Sequence, residues 1–143
     1  MIDARTAPYA ALVLRLALGT ALLAHSAWLK VFVFTMPGTV RFFEGLGLPG
    51  PLAWAVLATE VVAGILLLLG VRTRLAALAA LPVLLGAAWA HAGAGWTFTN
   101  PGGGWEYPVF WAAALVAQAL LGDGAFALAA PRAAPALARP VAP

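Results

Sequence analysis

Cysteine is absent from this 143-residue chain, and charge is scarce. Without a thiol the chain supplies no disulfide, no thiolate nucleophile and no cysteine-ligated metal centre, so any thiol redox step belongs to a partner. Charged residues make up 9% of the sequence against 64% hydrophobic ones, where a soluble domain carries about 25% charged residues. So few charges cannot cover a water-facing surface. Also missing are a GxGxxG fingerprint before a strand, a c-type haem motif and a phosphate-binding loop, so neither a nucleotide nor a covalent haem is expected on this chain.

The apolar content is gathered into spans. Four are read, at about Tyr9–Leu29, Leu52–Leu69, Leu75–His91 and Tyr107–Leu121. Roughly 17 to 25 helical residues cross a hydrocarbon core; the first two spans qualify outright, and the last two need a few flanking residues. Backbone groups in lipid must bond internally and strand-like alternation is lacking, so the predicted fold is all-α: a polytopic four-transmembrane-helix bundle over residues 1–123. Pro82 is expected to kink the third span, with Gly86 allowing close packing. The first span is not read as a cleaved signal peptide, because Arg15 interrupts it and apolar residues continue too far.

Basic residues orient the bundle. The N-terminus, the loop between spans two and three and the C-terminal tail hold Arg5, Arg72, Arg74, Arg132 and Arg139; the other side has Lys30 and Arg41. Five against two predicts both termini in the cytoplasm of a multi-pass inner-membrane protein. The net charge of +3 is then a topology signal, and no nucleic-acid partner is expected. In the first outer loop, VRFFEGLGLPGP predicts a short interfacial or re-entrant helix, with Phe42 and Phe43 on the membrane surface and Arg41 and Glu44 in water. Residues 124–143, rich in Ala and Pro, are expected to form a disordered cytoplasmic tail.

Under this topology all six tryptophans, Trp28, Trp54, Trp89, Trp96, Trp105 and Trp111, fall on the outer half. An anchoring belt would populate both interfaces, so an aromatic-walled ligand pocket at the outer mouth competes with an anchored rim. His25 and His91 each lie sixteen residues from the inner end of their own span and therefore near one depth. Lys30 and Glu106 are close to that level and Glu60 is deeper. The ligand-binding candidates are Lys30, His25, His91, Trp89, Trp105 and Trp111, and the catalytic candidates are Glu60 and Glu106. The simple alternative for Glu106 is its place at a helix N-terminus, after three glycines and before Pro108.

Ionisable groups at mid-membrane cost a few kcal/mol each on insertion scales, so they pair or face the bundle interior. Arg15 and Glu60 are the expected structural ion pair; the competing readings are a snorkelling Arg15 and a proton-handling Glu60. Gln118 is read as a structural buried hydrogen-bonder. His25, His91 and Glu106 are weak metal-ligand candidates, since no two ligating residues share the i, i+3 or i, i+4 spacing of a helix-borne site.

The run RLALGTALLAHSAWLK, then FFEGLGLP, TEVVAGILLLLGVRTRLAAL, GWTFTNPGGGWEYP and LLGDGAFAL, resembles the DoxX family of small bacterial inner-membrane proteins from about Leu12 to Leu128. Ser26 departs from the pattern, where glycine is expected after the histidine. The resemblance implies a four-helix membrane protein and singles out Arg15, Lys30, Glu60 and Glu106. The related DoxD proteins are a membrane subunit of a thiosulfate:quinone oxidoreductase, and other relatives are linked to oxidative-stress complexes or amine dehydrogenase maturation. A membrane subunit of a redox or oxidative-stress system with a quinone-type ligand and a protein redox partner is thus the leading expectation, with lipid around it and homo-oligomerisation open. The alternatives are a non-catalytic scaffold and, less favoured, a carrier of a small solute or metal ion.

Overall fold

The computed structural model describes residues 3–129. Among them are five α-helices and no strand: α1 (Ala7–Leu23), α2 (Met36–Gly45), α3 (Leu52–Leu69), α4 (Thr73–Ala90) and α5 (Glu106–Leu121). Three apolar helices are long enough to cross a membrane, α3, α4 and the 27-residue rod Ala7–Val33; α5 is apolar but shorter. The rod exceeds the predicted first span because α1 continues without a break into wider π-helical turns over Ala24–Val33. It stops at Thr35, whose left-handed φ of 62° turns the chain and whose hydroxyl accepts from the Gly38 amide at 3.3 Å to start α2.

Helices α1, α3, α4 and α5 form a ring in which α3 touches α1 and α4, and α5 touches α4 and α1. The interior is built from small residues, with Ala63, Ala76, Ala77, Ala80 and Ala112 buried around Leu18, Leu22, Leu67, Leu84 and Leu115. Large apolar side chains such as Val13, Val62, Leu75, Leu85, Phe110 and Leu120 point outward instead. In lipid, where apolar burial gains little, close backbone approach through small residues is the packing force.

That approach is tightest between α1 and α3. A Cβ on Gly19 would lie 2.9 Å from the Gly64 carbonyl oxygen, and one on Gly64 would lie 2.9 Å from Leu23 Cγ. This contact fixes the antiparallel register, with Gly19 opposite Gly64 and Arg15 opposite Leu67 and Leu68. Gly86, by contrast, faces open space, so its expected packing role is not met. Helix α4 runs on through Pro82.

At the end of the bundle carrying the α3–α4 turn, the chain after α5 does not leave the fold at once. The Ala125 amide donates to the Pro8 carbonyl at 2.8 Å and the Leu128 amide to the Leu69 carbonyl at 3.0 Å. Asp123 Oδ1 accepts from the Thr73 amide (3.1 Å) and hydroxyl (2.7 Å), capping the start of α4. The tail expectation is thereby corrected for residues 124–129, which satisfy helix-end backbone groups; residues 130–143 lie outside the described residues.

Candidate functional site

The polar side chains divide into three groups, and the divisions follow from helix register. The first is buried inside the bundle, toward the end that carries α2. Lys30 Nζ donates to Glu60 Oε2 in an ion pair whose side chains are 14% and 4% exposed. The expected Arg15–Glu60 pair is therefore corrected. Glycine contact sets Arg15 about two turns away from Glu60 along α3, whereas Lys30, whose side chain tilts back toward the N-terminal end of its own helix, reaches into the bundle. The Lys30 carbonyl accepts from the Thr39 hydroxyl at 3.3 Å, which ties α2 to the end of the rod.

His25 is on the same rod as Lys30, about one turn before it. Its ring meets Trp111 edge-on at 5.7 Å, and Trp111 leans on Tyr107 at 5.1 Å. Trp111 is buried, and Ser26 next to His25 is fully buried, its hydroxyl donating to the Leu22 carbonyl at 2.6 Å. The unexpected serine thus spends its hydroxyl within its own helix.

The second group belongs to the loop before α5. Glu106 Oε1 accepts from the Phe98 amide at 2.9 Å, while the Glu106 and Trp105 amides donate to Trp96 and Gly95. Trp96 and Trp105 pack at 4.4 Å, and a Cβ on Gly104 would collide with the carbonyl oxygens of Trp96 and Thr97. His91 Nδ1 is 2.9 Å from the Gly102 carbonyl oxygen, and its ring stacks on Phe42 at 6.3 Å. Glu106 and His91 therefore brace the loop, and Glu106 does not join Glu60. Among the described residues no three His, Asp or Glu side chains gather as metal ligands, so His25, His91 and Glu106 do not form the weak metal site considered from sequence. Trp89 is 58% exposed.

The third group is at the opposite end. Arg15 is 1% exposed and donates to the carbonyls of Leu67 (3.1 Å), Leu68 (2.7 Å) and Ala125 (2.9 Å). A guanidinium here complements the negative end of the α3 dipole and fastens the post-α5 segment to it. Arg15 is a structural clamp. Gln118 is also fully buried and donates to the Gly122 carbonyl at 2.7 Å.

Sequence reasoning missed Asp123 and Phe42 as partners. The glycines flanking Asp123 in LLGDGAFAL were its only signal, and nothing local marks Phe42 as the residue on which His91 stacks.

The DoxX family model matches residues 10–93, well over half of the chain. The chain belongs to the DoxX family. The matched region contains Arg15, His25, Lys30, Glu60 and His91, while the loop glutamate and α5 lie beyond it. A Bacillus subtilis (strain 168) protein named "Putative oxidoreductase CatD" is 36% identical over 52 residues, covering 36% of this chain and 39% of that protein. The match therefore spans about two fifths of the relative. No solved structure matches. Family membership and the long apolar helices make this a multi-pass membrane protein.

Proposed function

We propose that this DoxX protein is a membrane subunit of a redox system, binding a quinone-type head group beside the Lys30–Glu60 pair. In this reading all four long helices cross a bacterial inner membrane with both termini in the cytoplasm, and α2 lies at the outer interface. The observation that carries it is a buried ion pair with donor capacity to spare. A lysine ammonium has three N–H donors, and Glu60 takes one of them.

The donor set fits such a ligand. Lys30 offers a cationic donor for a carbonyl oxygen, the His25 imidazole is a second polar group, and Trp111 with Tyr107 supplies an aromatic wall. When bound, a quinone would accept the electron pair delivered by a partner subunit. The chain's own residues orient the head group and exchange protons with it: Lys30 holds the carbonyl, and Glu60, screened from lipid by the helices, relays a proton toward the His25 side. Similarity to a protein named as an oxidoreductase supports this assignment.

A packing role for the same pair, as in a non-catalytic scaffold, makes the opposite prediction. Protein purified in mild detergent should carry ubiquinone or menaquinone detectable by mass spectrometry. Glu60→Gln and Lys30→Met should each lower its retention about tenfold or more, the loss of one charge-assisted hydrogen bond, while Trp54→Phe leaves it unchanged. A wild-type protein without quinone, or equal retention in folded variants, sinks the redox reading and leaves the scaffold.

A further inference from the structure

Away from the polar cluster, a groove of about 450 Å³ runs along the lipid-facing seam of α3 and α4. Small side chains create it: Ala58 and Ala79 leave a furrow between the projecting Val62 and Leu75, which are 56% and 62% exposed. Thr59, also on the groove, turns its hydroxyl to the Ala55 carbonyl of its own helix at 2.8 Å, so the furrow presents no spare donor there. From Ala58 to Leu66 the floor is about 12 Å long at 1.5 Å per residue, enough for most of one acyl chain.

One end of this apolar furrow carries a cation. Arg72 lines it from the α3–α4 turn, and among the described residues it has neither an ion-pair nor a side-chain hydrogen-bond partner. Its backbone is left-handed, with φ of 48°, a conformation that residues other than glycine seldom adopt. Strain of this kind persists where surrounding structure over-determines it, as functional positions do. The nearby carboxylate is engaged elsewhere. Arg74 lies against Gly122 at the end of α5, and Asp123 Oδ1 is taken by Thr73. A second groove, on α1, is lined by Thr6, Tyr9, Ala10, Val13, Leu14 and Ala17 and has no cation at all.

We infer that the α3–α4 groove is a binding site for one anionic phospholipid, with an acyl chain between Val62 and Leu75 and its phosphate-bearing head group on Arg72. Basic side chains at the ends of transmembrane helices recognise anionic head groups in this manner. The site needs only α3 and α4 to cross the bilayer, so it stands independently of the quinone reading.

Native mass spectrometry of delipidated protein, titrated with phosphatidylglycerol or phosphatidylcholine of identical acyl chains, tests it. Wild type should hold one phosphatidylglycerol about fivefold more tightly, the size of one basic side chain at an anionic head group. Arg72→Gly removes the charge and suits the left-handed turn; it should abolish the head-group preference while chain binding remains. Ala79→Leu fills the furrow and should weaken both lipids, whereas Arg5→Gln should leave the preference intact. Equal affinity of wild type for the two lipids, or a preference that survives Arg72→Gly or disappears in Arg5→Gln, overturns the site.

Discussion

At the residue scale, the decisive side chain is Lys30. Positioned at the end of an apolar span, it reads from sequence as a ligand-binding candidate near the level of the two histidines, and it turns inward to the deepest carboxylate of the bundle. Two charges removed from water lose hydration that their attraction only partly returns, and removing one leaves the other uncompensated. Glu60→Leu alone should therefore destabilise the protein by about 3 kcal/mol, whereas the double change Lys30→Met with Glu60→Leu should recover most of that loss. Thermal unfolding in detergent distinguishes the cases; additive losses in the double variant would show that the two residues do not act as a pair. Arg15 is the counter-example. It too is a buried charge in an apolar helix, but its terminal guanidinium nitrogens go to carbonyls at a helix end, so its role as a clamp, not an ion-pair partner, was not legible from its own segment.

At the element scale, position along the helix matters less than the register between helices. The backbone contact of Gly19 with Gly64 sets which residues of α1 and α3 meet, and the π-helical continuation of α1 changes which face the following residues present. Overpacking a close helix contact costs about 1–3 kcal/mol. Gly64→Leu should cost at least that much and push α1 from α3, loosening the Lys30–Glu60 pair while leaving the loop around Glu106 in place. Crosslinking between introduced cysteines at Leu23 and Glu60 should fall in this variant, and those at Gly95 and Trp105 should be unaffected. Unchanged crosslinking at the first pair would remove the glycine contact as the source of register. The loop before α5 is a different kind of element: its glycines and Glu106 cooperate locally, which is why a role at the helix start could be anticipated from GGGWEYP.

At the scale of the whole molecule, the ring of helices separates its polar groups by an apolar middle. Leu18, Leu22, Ala63, Leu67 and Leu115 form one buried cluster, with the Lys30–Glu60 pair toward one end and the Arg15 clamp at the other. The aromatic loops gather at the first end and the arginine-bearing turn at the second. Positive charge is retained on the cytoplasmic side during insertion, so the proposed orientation predicts different accessibility for the two ends. Because the chain has no native cysteine, single cysteines report this cleanly. An impermeant thiol reagent applied to intact cells should label Thr99→Cys and spare Arg74→Cys; the reverse pattern would invert the topology.

The sequence by itself determined the solvent, the helical class, the approximate extent of the apolar helices and the inventory of polar groups, because composition and run length act locally along the chain. Family membership was legible for the same reason, in motifs whose order survives without knowing what they touch. Only the tertiary structure decided that Glu60 meets Lys30, that Arg15 clasps the end of α3, that Glu106 and His91 brace a loop, and that the segment after α5 folds back on the bundle. Those pairings depend on the offset and rotation of one helix against another. Two glycines nearly four dozen residues apart and a change of helical winding set that offset, and no local pattern in either helix encodes it.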